Sequence, residues 1–177
     1  TFDMIITIGP LIMMKFVVFL DIDGVLNSNF WNDTHQREIS DGTLIDEEKV
    51  MLLGQLIRNT SAKVILHSGW KFWFDSEVKP LRREAERLIS MLEKEGIKVN
   101  GVTPDHTTEE IRKSKKFSLV KASEILAWVS QYDNIEKWIV IDDLDLHNEE
   151  IRKHQILTDA SIGLTVENIC EAERLLL

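Results

Sequence analysis

The stretch "KFVVFLDIDGVLN", residues 15–27, decides how the rest of the chain is read. Five apolar residues, Phe16 to Leu20, run straight into Asp21; Ile22 separates it from Asp23, and Gly24 follows at once. An unbroken apolar run of this kind is what a strand covered on both faces requires. Two carboxylates at its far end then need an explanation, because like charges held together repel unless something offsets them.

Working outward, the same kind of run recurs as "AKVILHS" (62–68), "IKVNGV" (97–102), "KWIVIDD" (137–143) and, more weakly, "HQILTD" (154–159). Helical patterns lie between them. Residues 46–59 begin with acids in the first turn and carry Val50, Leu53 and Ile57 in one stripe. Residues 80–95 place Pro80 in the first turn, set Leu81, Ala85, Leu88 and Leu92 on one face, and stop at Gly96. A helix over 118–131 turns Ile125, Trp128 and Val129 inward, and 166–176 closes the chain. Strand–helix alternation predicts a three-layer α/β fold with a mainly parallel five-stranded sheet and right-handed crossovers.

Ligands of such sheets bind beyond the carboxyl ends of the strands. Asp21 and Asp23 end the first strand, Ser68 the second, and Asp142 and Asp143 the fourth, so all five meet on one edge. Four carboxylates gathered there call for a cation. Hard oxygen donors of this kind suit Mg²⁺, which keeps several waters and takes few carboxylates. Among the five histidines there is no H-x-x-x-H pair and none beside the cysteine, which argues against zinc.

Composition narrows the classes further. A chain of 177 residues suits one domain, and a formal charge of −9 with pI near 5.1 argues against a broad basic face that tracks nucleic acid. A local contact with a strand end stays open. Cys170 is the only cysteine, so no internal disulfide forms and a reducing cytoplasm is expected, with Cys170 a buried structural thiol. No apolar run reaches a membrane span of about 20 residues. Residues 1–13 read as an N-terminal extension or tag-derived segment, with Met13 or Met14 as the natural start and 14–177 as the single domain.

The order "DIDGVLN … HS … K … IDD" resembles the four motifs of the haloacid dehalogenase-like (HAD) superfamily of phosphohydrolases. "FLDIDGVLN", "VILHSGW", "KASEILAWV" and "WIVIDD" look most like the small HAD domain of RNA-repair "Swiss Army knife" proteins, over residues 15 to about 165. The resemblance implies a Rossmann-like HAD fold and a Mg²⁺-dependent phosphomonoesterase. Asp21 would attack phosphorus to give an aspartyl-phosphate, and Asp23 would act as general acid and then base. Gly24 would let the chain turn beside the site.

By the same resemblance Asp21, Asp142 and Asp143 would hold the metal together with Asp23 through its backbone carbonyl; Asp143 is expected in direct contact with Asp142 in support, or the reverse, and Asp145 is a weaker candidate. Ser68 would bind a phosphate oxygen, with His67 as the alternative register; it would also cap the next helix. Lys121, 21 residues before Asp142, would offset the phosphoryl charge, with Lys115 and Lys116 as rivals. Gly69, Trp70 and Lys71, which follow Ser68, join Gly24 as candidate substrate contacts.

Family members that act on small metabolites usually carry a cap domain. Here only residues 25–45 and 103–117 stand at the two insertion points, room for a flap but not for a domain. An open site is therefore expected, and its partner is a phosphorylated small molecule or nucleic-acid end. Trp31 on the flap, with Trp70 and Trp73, could stack a base or sugar there. Two other classes compete: a receiver-type signalling domain, weakened because "IKVNGV" has no Asp, and a catalytically silent binding module on the same scaffold.

Overall fold

In the computed structural model, which describes residues 14–28 and 44–177, β1 (Phe16–Leu20) is the central strand of a five-stranded sheet. Around it lie β2 (Lys63–Leu66), β3 (Val99–Val102), β4 (Lys137–Asp142) and β5 (Gln155–Leu157), in the order β3-β2-β1-β4-β5 and all parallel. The helices are α1 (Glu47–Thr60), α2 (Arg83–Lys94), α3 (Glu109–Ser114), α4 (Phe117–Val129), α5 (Glu149–Arg152) and α6 (Val166–Leu176).

The continuous apolar run of β1 serves two faces. Val18 and Leu20 join Val64, Leu66, Ile139 and Ile141 in a core closed by α1, α2 and α6. Val17 and Phe19 point the other way, into a second core with Ile65, Val140 and residues of α4. Phe19 meets Trp128 and Trp138 edge-on, with ring centroids 5.3 and 5.9 Å apart. This is the predicted three-layer α/β architecture with a parallel five-stranded sheet. No large cap stands on it among the described residues, and none of their helices is long and apolar enough to cross a membrane. Residues 1–13 and Trp31 lie outside the described residues.

Two readings need correction, and one short helix went unread. The helix predicted from Pro80 starts at Arg83 instead. Asp75 accepts from the backbone N–H groups of Glu77 and Lys79, and Phe74 bridges Pro80, so a closed loop occupies 74–80 and leaves Leu81 64% exposed. The short α3 has no apolar stripe to reveal it; Thr108 caps it by accepting from the Ile111 N–H. Cys170 lies on the exposed face of α6 rather than in the core.

The chain order makes a switch at β1: β2 and β3 build outward on one side, β4 and β5 on the other. A crevice therefore opens beyond the carboxyl ends of β1 and β4.

Candidate active site

Asp21 follows β1 directly, and its N–H donates to the Ile141 carbonyl at 3.0 Å, extending the β1–β4 pairing by one residue. Its side chain thus emerges at the crevice floor, 5% exposed. Asp142 is the last residue of β4 and fully buried; its Oδ1 accepts from the Leu144 N–H, which turns the chain and aims Oδ2 at Lys121. Lys121 projects from α4, with Nζ 2.8 Å from Asp142 Oδ2 and 3.1 Å from Asp21 Oδ2. The rival lysines stay away: Lys115 and Lys116 are exposed, and Lys115 is the left-handed C-cap of α3.

Asp143 completes the group. Asp21, Asp142 and Asp143 can bring one oxygen each to within 4.8 Å of one another. Burial, then Asp142, pushes the Asp21 carboxyl above its ordinary pKa, with Lys121 working against the rise. Burial and the two neighbouring carboxylates push Asp143 up to about 7. For Lys121 burial alone would lower the pKa, but Asp21 and Asp142 outweigh it and the net direction is upward. One ammonium facing three crowded carboxylates leaves negative charge over, and three hard oxygen donors fit a divalent cation. Asp145 is exposed and outside this cluster.

Gly24 is required here for two reasons. Its φ is +77°, and a Cβ built on it would lie 2.6 Å from Asp143 Cγ. The loop is fastened from below, where buried Thr158 donates its hydroxyl to the Gly24 carbonyl at 2.8 Å.

The Asp23 side chain stands apart from the three-carboxylate cluster, which leaves the expected ligand role to its backbone carbonyl. Asn27 Nδ2 donates to its Oδ1 at 2.9 Å, and Trp70 Nε1 to its Oδ2 at 3.1 Å. Each of its oxygens thus accepts one N–H. Asn27 also accepts from the Gly24 N–H through Oδ1. The motif's last residue therefore locks the loop that its first residues form.

Ser68 is buried at the cleft wall and caps the 3₁₀ turn Gly69–Trp73 by accepting from the Trp70 N–H at 3.3 Å. Its hydroxyl proton remains free to donate. His67 also lines the cleft; burial, with Lys121, pushes its pKa down to about 3, so it is neutral. Its Nε2 lies 3.4 Å from Asp142 Oδ2, and among the described residues neither ring nitrogen has a well-aligned hydrogen-bond partner. Gly69 faces open space within the cleft lining.

Two expected substrate contacts are spent elsewhere. Trp70 is 4% exposed, its ring against Trp73 and its N–H on Asp23, so it presents no face for stacking. Trp73 is in turn covered by the Arg82 guanidinium, 4.4 Å from the ring centroid. Lys71 is buried and bonds Glu124 Oε2 (2.7 Å), the Pro104 carbonyl (2.7 Å) and Thr103 Oγ1 (3.3 Å). It ties the 3₁₀ turn to α4 and the 103–108 segment instead of reaching outward.

The crevice above Asp21 is a cleft of about 730 Å³. Besides the residues above, Phe72, Arg112, Phe117 and Leu144 line it, and none of these stood out in the sequence. The arrangement provides a buried carboxylate at the floor, a lysine against it, a cation-holding cluster, and a second carboxylate at the side. That set can support nucleophilic attack on a phosphoryl group and proton transfer to what leaves.

Residues 17–169 match the family model described as the HAD domain in Swiss Army Knife RNA repair proteins. No curated protein and no solved structure matches the chain.

Proposed function

Because the chain belongs to the family of HAD domains found in Swiss Army Knife RNA repair proteins, we propose that it is a Mg²⁺-dependent phosphomonoesterase working through an aspartyl-phosphate. The observation that carries this is the Lys121 ammonium between Asp21 and Asp142 at the floor of an open cleft. Charge on a transferring phosphoryl group must be offset, and a cation already fixed beside the nucleophile does so without reorganising.

An Asp21 oxygen forms a bond to phosphorus while the bond to the leaving oxygen breaks. Asp23 gives that oxygen a proton. Asp23, now ionised, takes a proton from water; the water oxygen bonds to phosphorus, and the Asp21–phosphorus bond breaks to release inorganic phosphate. Ser68 donates its hydroxyl to a phosphate oxygen, and Lys121 holds Asp21 in line. Asp21, Asp142 and Asp143 would hold Mg²⁺, which supplies further charge neutralisation at the phosphoryl oxygens.

With no large cap among the described residues, binding energy must come from substrate lying across the cleft mouth, which favours nucleotide or nucleic-acid-end phosphates. The net charge of −9 keeps such contact short. The lone cysteine suits a reducing cytoplasm.

The test is a screen of nucleotides, 5′- and 3′-phosphorylated oligonucleotides and sugar phosphates with Mg²⁺ and with EDTA, followed by acid quench to trap labelled protein. Label on wild type that hydroxylamine removes, and none on Asp21→Asn, is the expected result. Substantial hydrolysis by Asp21→Asn, or full activity with zinc and none with Mg²⁺, would overturn the assignment.

A further inference from the structure

The cleft has more apolar wall than a phosphate can use. Its volume of about 730 Å³ is that of a site for an organic ligand. Phe72 from the 3₁₀ turn is 54% exposed, Phe117 from the start of α4 is 42% exposed, and Leu144 after β4 is 41% exposed. All three line this one mouth. Phe72 and Phe117 are the two aromatic side chains left exposed among the described residues, and both line the cleft that holds Asp21. Exposed apolar groups gathered at a single opening mark a binding surface rather than scattered surface residues.

The same mouth holds an uncommitted cation. Arg112 on α3 lines the cleft and has no carboxylate within ion-pair distance among the described residues; its field reaches Asp105 only weakly. The other cations of the cleft are taken: Lys71 by Glu124, Lys121 by Asp21 and Asp142. A guanidinium with no ion pair among the described residues, lining the same cleft as two aromatic rings, suits a planar group with an attached anion, since it binds phosphate oxygens in a two-pronged fashion.

We infer that Phe72, Phe117 and Arg112 form a leaving-group subsite for a nucleotide unit carrying a second phosphate. The rings take the base, and Arg112 takes the phosphate that is not transferred. A sugar phosphate offers no planar face to the rings, and a long phosphate track is disfavoured by the net charge of −9. The inference rests on the phosphatase reading, which places the transferred group at Asp21. The nucleotide unit is either a free nucleoside bisphosphate or the terminal residue of a strand.

Binding to the Asp21→Asn protein, which cannot turn over, separates the two claims. Calorimetry with Mg²⁺ would compare ribose 5-phosphate, adenosine 5′-monophosphate, adenosine 3′,5′-bisphosphate and a 5′-phosphorylated adenine dinucleotide. Affinity should rise about fivefold or more when the base is added, and again by about tenfold with the second phosphate. Phe117→Ala and Phe72→Ala should erase the first step, and Arg112→Ala the second; these side chains are exposed, so circular dichroism should confirm intact folds. The tighter of the bisphosphate and the dinucleotide identifies the source of the ligand. Equal affinity for all probes, or both steps surviving in the variants, overturns the subsite. Both steps present in Asp21→Asn, with wild type hydrolysing none of the four, would leave the subsite standing and remove the phosphatase reading.

Discussion

Replacing Asp143 by Asn should stabilise the metal-free protein and abolish its response to divalent metal. The two effects have opposite signs and a common origin. Asp21, Asp142 and Asp143 bring oxygens to within 4.8 Å of one another, with Lys121 the one ammonium among them. Two unit charges at that separation repel by about 3.5 kcal/mol at an effective dielectric constant of about 20. Asp143 is half-buried, and both solvent and Lys121 screen it, so the net relief from Asn should be about 1–2 kcal/mol. For a chain of this size that is about 2–8 °C in Tm. The pH dependence fixes the sign. The Asp143 carboxyl is pushed up to about 7 from the ordinary aspartate value of 3.8, mainly by burial and then by its two acidic neighbours. A folded-state pKa above the unfolded one means that ionisation costs stability. The cost begins as pH rises through the unfolded value and is complete above the folded one. Thermal unfolding in EDTA should therefore show Asp143→Asn level with wild type near about pH 4 and ahead of it near about pH 8. Adding Mg²⁺ at the higher pH should raise the wild-type Tm and leave the variant unmoved. A variant that is less stable than wild type in EDTA at the higher pH, or that gains as much from Mg²⁺, would refute the charge-crowding argument.

Gly24→Ala should weaken metal binding and turnover together, because its Cβ would fall 2.6 Å from Asp143 Cγ at a φ of +77°; a metal-induced Tm shift equal to wild type would contradict this. Lys71→Met strands Glu124, 2% exposed, without its partner. That should cost about 3–5 kcal/mol, or about 6–20 °C in Tm, while Lys71→Met with Glu124→Leu recovers most of the loss; a double variant no better than the single one counts against the pair. Trp70→Phe removes the indole N–H from Asp23, so kcat should fall more for an alkyl phosphate than for an aryl phosphate with a good leaving group. Equal losses on both substrates would mean that Trp70 acts by packing alone.

What the sequence made legible is what buried strands dictate. An apolar run closed by carboxylates can only be a two-faced strand aimed at a crevice, and Val17, Val18, Phe19 and Leu20 do divide between two cores. The spacing that singled out Lys121 places it on α4 opposite the end of β4, where it meets Asp142. Readings failed where local turn chemistry outweighed periodicity. Pro80 looks like a helix start, but the Asp75 side chain satisfies two backbone N–H groups and closes a loop first. Glu124 and Asn27 sat within quoted motifs, yet their roles depend on partners far off in sequence or on a turn, Lys71 for one and Asp23 for the other.

The cleft wall shows why the site's specificity was less legible than its chemistry. The segment after Ser68 reads "GWKFW", and of its three aromatic residues the two tryptophans, not Phe72, read as the candidates to meet substrate. Between Ser68 and Phe74, however, the backbone takes a 3₁₀ turn, with three residues per turn. Trp70 and Trp73 then fall on the same side, with ring centroids 4.6 Å apart, and turn toward the core and Asp23. Phe72 falls off that side and is left exposed at the mouth. A helix of 3.6 residues per turn would not have stacked these positions so directly, so the aromatic that faces substrate is chosen by turn type. Arg112 escaped notice for a related reason: α3 buries no residue, and a cap rather than a core holds it in place. A search by apolar period finds what the core holds. Of the groups inferred to read a substrate, Phe72 and Arg112 stand on elements which that period does not reach.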